Sequence, residues 1–350
     1  MTTAGFYQAA HEGLPLTQQV ALHKAVRWQI FTIAYTTCTI VVVAQVLGSS
    51  QAMKTAWVED ILSLIPQISF LVAMRYVKRP PTRAHPYGMH RAMGTGHLVA
   101  GVALAAVGTN LAWEAITGLI AGDHPTIGTV NLLHHTVWLG WLMIAVMVLI
   151  VVGPLFLYGP AKARLAPELH NKLLFADADM AKADWHTNAA SIVGVLGTGL
   201  GVWWLDGAAA LFISIGIMRD GFTNARSAIL DLMDQTARQF DDSEVHPLAT
   251  QIVEYLESQS GILKAGIRMR DQGQVFHVEA FVTPTSSHVS LEDMARIAQG
   301  VGNLDWKIQD VVVVPTDPLP PEVWRGVPSD QREVARGSVI RGRLRRRQSQ

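Results

Sequence analysis

The chain has 350 residues, of which 49% are hydrophobic and only 16% charged, a balance too apolar for an ordinary soluble domain of this length and suited to a bilayer. Lys plus Arg and Asp plus Glu each number 28, so net charge excludes no class of partner and the positions of the charges carry the information. The single cysteine, Cys38, excludes a disulfide framework and a multi-thiolate zinc cluster within one chain.

The start of the chain lacks a basic stretch followed by an apolar core and a small-residue cleavage site, so no cleaved signal peptide is expected, and residues 1–26 read as a cytoplasmic lead-in. Apolar stretches long enough to cross about 30 Å of hydrocarbon lie near residues 28–48, 52–74, 94–121, 133–158, 173–199 and 203–219. They predict an α-helical membrane protein with six transmembrane helices within residues 27–222. Gly96, Gly101, Gly108 and Gly118 recur along the third stretch, and Gly194, Gly197, Gly199 and Gly201 close the fifth. Small residues of this kind let helix backbones approach in lipid. The connection 75–93 carries Arg75, Lys78, Arg79, Arg83 and Arg91, and Lys162, Arg164 and Lys172 follow the fourth stretch. The loop 122–132 and the turn after the fifth stretch carry no Lys or Arg. Basic loops stay inside, which places both termini in the cytoplasm.

Past Arg219 the composition becomes that of a soluble domain, with a linker over residues 223–244. A helical pattern runs from Val245 to Ser258, alternating runs cover Ala265–Arg270 and Val275–Val282, a second helix spans Ser290 to Val301, and Asp310–Pro315 supplies a last strand. This order predicts a small α+β module over residues 245–318. The tail 319–350, with Arg341, Arg343, Arg345, Arg346 and Arg347, reads as disordered, with at most an unspecific attraction for anionic headgroups. No phosphate-binding loop of Walker type is present, so direct ATP drive has no support, and nothing points to nucleic acid.

Two of the apolar stretches carry more than one acid. Span five includes Asp177, Asp179 and Asp184, and span two includes Glu59 and Asp60, followed by Ser63 and Gln67. Ionisable groups inside a span cost several kcal/mol on most scales and mark ion or proton pathways. At helical spacing Glu59, Ser63 and Gln67 share a face with Asp60 at its flank, and Asp177, Met180, Asp184 and Asn188 form a stripe on span five. Facing stripes can surround one cation, although Glu59 or Asp60 could instead pair with a basic side chain. An oxygen-rich set suits manganese or iron(II) at least as well as zinc. Asp179, Lys182 and His186 lie on another face. Asp179 and Lys182 are expected to pair, and His186 is either a ligand or proton carrier or a packing histidine. Asn110 and Glu114 read as an interhelical hydrogen-bonding patch, and His85, His90, Asp123 and His124 as loop residues that could touch metal.

Arg75 followed by His85-Pro-Tyr-Gly88, Ala176-Asp177 at the opening of span five, and Asp184, Asn188 and Asp206 at family-like spacing make the chain resemble the cation diffusion facilitator family over nearly its whole length. The resemblance implies a homodimeric exporter of divalent transition metals in the cell inner membrane, driven by inward proton flow and ending in a ferredoxin-like cytoplasmic domain that dimerises. It also implies two metal ligands on span two and two on span five, falling here on Glu59 and Ser63 and on Met180 and Asp184, of which Asp184 alone is the expected type. The residues themselves add Asp60, Asn188 and His186 to the candidate metal set. In the family the cytoplasmic module often binds further metal. Here His277 and His288 with scattered acids predict a reduced or absent cluster. The expectation is a secondary transporter of zinc, manganese or iron(II), not an enzyme, with no cofactor besides the transported ion. The alternatives are an intramembrane metalloenzyme, which would lack a paired-histidine motif, and a metal-sensing membrane protein that does not transport.

Overall fold

The computed structural model describes residues 14–132, 135–286 and 290–326. His288 and the basic tail beyond residue 326 lie outside these, as do the first thirteen residues. Three long helices come first, α1 (Leu16–Val46), α2 (Gln51–Val77) and α3 (Ala92–Ala121). A short hairpin of β1 (Thr129–Leu132) and β2 (His135–Trp138) leads into α4 (Leu139–Ile150), which continues through a π turn at Gly153–Tyr158 into α5 (Gly159–Glu168). Two more long helices follow, α6 (Lys172–Gly199) and α7 (Trp204–Leu232). Among the described residues, α1, α2, α3 and the stretch Leu139–Glu168 are long and apolar enough to cross a membrane. The chain is thus a multi-pass helical membrane protein. Helices α6 and α7 match them in length but carry more charge along the way.

Local chemistry sets several of these boundaries. The Ser50 side chain accepts from Met53 N–H at 3.1 Å and starts α2, and Asn171 does the same for α6 through Leu174 N–H at 2.8 Å. Three boundaries differ from expectation. Helix α1 begins at Leu16, directly after Pro15, whose φ is preset and whose missing N–H costs nothing at a helix start. The fourth span turns helical only at Leu139, because residues 135–138 pair in the hairpin. Helix α7 runs on to Leu232 and absorbs part of the expected linker. Its last turns are held against α3, where Gly101 lies so close to the Ala225 backbone that no Cβ would fit.

That contact belongs to a seam. A Cβ on Gly108 would stand 2.6 Å from Met218 N, and one on Gly221 would collide with the Ala105 backbone, so α3 and α7 touch main chain to main chain.

The C-terminal module contains α8 (Leu248–Glu257), β3 (Ile262–Asp271), β4 (Phe276–Pro284), α9 (Leu291–Gly302) and β5 (Ile308–Pro315). Its sheet has the order β3-β4-β5, with β3 antiparallel and β5 parallel to β4. Ala265, Ile267 and Met269 of β3, with Phe276, Val278, Ala280 and Val282 of β4, alternate into a core closed by Leu248, Ile252 and Leu256 of α8 and by Ile297 and Val301 of α9. The returning chain at Trp324 bridges to Ile267 and covers the β3 edge.

Candidate metal site

Helices α2 and α6 pack against each other, so their polar faces meet. Glu59 hydrogen-bonds to Thr187 on α6, whereas Asp60, about 100° further round its helix, bonds to Thr39 on α1. Asp184 lies within electrostatic reach of both, with Asp177 and Lys162 beyond. All three carboxylates are only partly covered within the single chain. Around them acceptors outnumber donors. Glu59 Oε2, Gln67 Oε1 and Asn188 Oδ1 are buried with no hydrogen-bond partner. Asn188 turns its amide N–H onto the Asp184 carbonyl at 2.7 Å, and the Ser63 hydroxyl donates to the Asp60 carbonyl at 2.8 Å, which leaves oxygen lone pairs to face the site. A buried acceptor left unmade costs about 1–3 kcal/mol. A cation or a proton would relieve it. Among the described residues no three His, Cys, Asp or Glu side chains form a ready-made metal cluster. A full coordination shell would therefore need neutral oxygens such as those of Ser63 and Asn188, or a closing of α2 on α6.

Two tyrosines join this region without being expected from sequence. Tyr158, on the π turn, lies in the field of Asp184, Asp60 and Asp177 and packs edge-on against Tyr35 of α1 at 5.7 Å between rings. Tyr35 in turn donates its hydroxyl to the Ile150 carbonyl at 2.8 Å. The available signal is the repeated Gly-Pro pair, Gly153-Pro154 and Gly159-Pro160, inside one apolar stretch. Prolines remove ladder donors, and π turns of this kind recur at functional sites.

Of the expected set, the structure brings Glu59, Asp60 and Asp184 together, with Ser63 and Asn188 on the same helical faces. Met180 and His186 stand apart from that group in their surroundings. Met180 is packed in an apolar cluster with Leu62, Leu104, Leu111, Ile213 and Ile217. His186 is exposed, its ring 3.7 Å from that of Trp185 on the surface of α6. Asp177 leaves the stripe as well, because Lys162 Nζ donates to its Oδ2 at 2.6 Å and Gln29 Nε2 at 2.8 Å, all three buried. The expected pair of Asp179 with Lys182 is not among the ion pairs of the described residues, and both side chains are exposed. Glu114 pairs with Lys54 of α2. Asp206 serves α2, accepting from Ser50 Oγ–H and Gln51 N–H, each at 2.6 Å.

A second polar concentration joins the membrane helices to the C-terminal module. His170 Nε2, at the turn into α6, lies 3.2 Å from Asp271 Oδ2, and both residues are buried. The His246 ring packs on those of His170 and Phe276 at 5.1 and 4.9 Å. Lys172 donates to Asp231 at 2.8 Å and to Asp242 at 2.7 Å. His277 Nδ1 meets Asp310 Oδ2 at 2.7 Å, with the Tyr87 ring of the first loop edge-on to it. Burial, reinforced by His170 and Lys307, pushes His246 down to about 3 and keeps it neutral. Burial alone would raise Asp271, but the His170 hydrogen bond and neighbouring charge outweigh it and hold that carboxyl below its usual range. These side chains serve one another in pairs. Sequence spacing could not join them, since the hydrogen-bonded partners His277 with Asp310 and His170 with Asp271 lie 33 and 101 positions apart.

Comparison with known proteins points the same way. The cation efflux transmembrane domain matches residues 28–233. The transporter YdbO of Bacillus subtilis (strain 168) is 26% identical over 243 residues, covering 68% of this chain and 75% of the relative. Metal tolerance protein C1 of Arabidopsis thaliana is 24% identical over 299 residues, covering 83% of this chain and 62% of the relative. Metal tolerance protein 2 of Oryza sativa subsp. japonica is 23% identical over 222 residues, with 59% and 56% covered. The chain thus spans less than two thirds of either plant protein. The family match takes in more than half of the chain and includes every helix that carries the acids, and the chain belongs to the cation efflux family, the cation diffusion facilitators.

Proposed function

We propose that this protein exports divalent metal ions across the inner membrane in exchange for protons, as a homodimer with six spans and both termini in the cytoplasm. The carrying observation is that Glu59 on α2 and Asp184 on α6 sit in one another's field inside largely apolar helices, among buried oxygens that lack donors. Metal cation transport is supported by the family and by the name metal tolerance protein given to two relatives. Helices α6 and α7 supply the fifth and sixth spans, and the basic connection between α2 and α3 sets the inside face.

The donor set is Glu59, Asp60 and Asp184 with the neutral oxygens of Ser63 and Asn188. Hard or borderline ions prefer such oxygens, so manganese and iron(II) rank ahead of zinc. Metal and proton bind the same carboxylate oxygens and exclude each other, so loading by metal inside and protonation from outside give an exchange cycle. The C-terminal module supplies the dimer contact.

Sealed vesicles containing the purified protein test this directly. An imposed pH gradient should accumulate Mn²⁺, and Asp184→Ala should abolish flux while leaving a folded protein. Wild-type flux in that variant removes the site, and accumulation without any proton gradient removes the exchange.

A further inference from the structure

A cavity of about 640 Å³ opens between the first loop and the C-terminal module, with Tyr76, Tyr87, His90, Arg91, Asp234 and Arg270 among its walls. That is within the usual size of a small-molecule site. It is separate from the acids of α2, because Tyr76 stands sixteen residues past Asp60, about 24 Å along the helix.

The walls define the chemistry of an occupant. Arg91 and Arg270 both reach Asp234, so one carboxylate answers two guanidiniums and a positive charge is left over. Two nitrogens of wall residues, Arg270 Nε and His90 Nδ1, are buried behind the cavity surface with no hydrogen-bond partner. The Arg Nε always carries hydrogen. Burial holds His90 below the ordinary histidine range, so its imidazole is neutral and donates from Nδ1 in one tautomer. Each such N–H lacks an acceptor, which a group with several oxygens would supply once a small rotation of either side chain exposes it. Arg75, Lys78, Arg79 and Arg83 adjoin the cavity in sequence and take part in no ion pair of the described residues, which raises the local positive potential. A divalent cation fits poorly here, since the guanidiniums repel it and Asp234 is already shared.

We propose that this cavity binds a phosphate-bearing anion, with Arg270, Arg91 and His90 as donors, bridging α3 and its preceding loop to the C-terminal module. The planar fork of a guanidinium matches phosphate oxygens, and Arg91 and Arg270 come from the two parts to be bridged. A phospholipid headgroup of the adjoining leaflet and a free phosphate compound present the same oxygens. The proposal holds whether or not the chain exports metal.

The test uses the full chain in nanodiscs of phosphatidylcholine alone, of phosphatidylcholine mixed with phosphatidylglycerol, and of phosphatidylcholine with inorganic phosphate added at ionic strength held by chloride. Thermal unfolding is followed by tryptophan fluorescence. Phosphatidylglycerol, phosphate or both should raise the midpoint of the native chain. A rise with lipid alone assigns the headgroup, and a rise with phosphate assigns a free anion. Arg270→Gln and His90→Phe should each weaken the apparent affinity about tenfold, whereas Asp234→Asn, which frees both guanidiniums, should tighten it. No anion-specific rise in the native chain, an equal rise in all variants, or weaker binding by Asp234→Asn overturns the proposal.

Discussion

Asp177, Asp184 and Asp206 all sit inside helices of the membrane part, and each meets different surroundings. Asp177 is answered by Lys162 and Gln29, Asp206 by the first turn of α2, and the Asp184 carboxylate makes no hydrogen bond or ion pair among those found. These three fates predict opposite responses. Lys162→Met should cost about 3–5 kcal/mol because it strands a buried charge, and adding Asp177→Leu should recover most of that in the unfolding midpoint. Asp184→Asn should instead leave the midpoint equal or higher while vesicle flux is lost. From sequence the acids of spans two and five stood out alike. Spacing shows that a carboxylate such as Asp177 is out of place, but its partners lie 15 and 148 positions away and are set by packing. For the same reason the helical spacing and the family resemblance that place Met180 beside Asp184 do not show the aliphatic side chains that surround it. Outside the membrane part His246 gives a pH signature. Its value falls from 6.5 to about 3 on folding, so the unfolded chain takes up the proton first. Stability is full above about pH 6.5 and declines as pH falls towards 5, by at most about 1.4 kcal/mol per pH unit, less for a ring that is partly exposed. Urea midpoints at neutral and mildly acid pH should show this slope, and His246→Gln should flatten it.

Among the elements, long helices and short strands were legible because their periods are 3.6 and 2 and their lengths differ. The three strands of the C-terminal module fall within a few residues of their expected positions. The π turn and the hairpin before α4 were not legible, since both interrupt a stretch that hydropathy reads as uniform. The glycines of span three were read correctly as packing residues, but their partner helix was not identifiable. The structure names it as α7 for Gly101 and Gly108, whereas Gly96 and Gly118 face α2, and the α7 seam sets a limit on side-chain size. Gly108→Val should lower the unfolding midpoint by the equivalent of about 1–3 kcal/mol, while Gly128→Val, where a Cβ meets nothing, should leave it unchanged. Equal effects at both positions would mean that the seam does not bear on stability.

At the scale of the whole molecule, the C-terminal module has a core of its own, drawn from α8, α9 and the sheet with no side chain from the membrane helices. A fragment covering residues 235–326 should therefore be soluble and give cooperative unfolding by circular dichroism. A fragment that stays unfolded would show that His170 and the first loop are part of its minimal structure. The sequence shows a change of composition near Arg219, whereas α7 runs on to Leu232 before the module begins. The junction between membrane part and module was not legible, because it joins residues of segments far apart in the chain, and the one signature among them, His85-Pro-Tyr-Gly88, does not name its partners.

Asp206 also ties the Ser50 end of α2 to α7, and a rod fixed at one end moves most at the other. Glu59 is nine residues from that pin, about 13 Å, and Val77 is about 40 Å away, so any tilt of α2 displaces the first loop about three times as far as it displaces the acid. The loop in turn lies against the module through Arg91 with Asp234 and Tyr87 with His277. Helix α2 is in this sense a lever with its load on the short arm. If α2 moves as one rigid rod despite Pro66 at its middle, a sub-ångström adjustment at Glu59 would reach the module enlarged, and a force applied at the module would arrive at Glu59 with mechanical advantage.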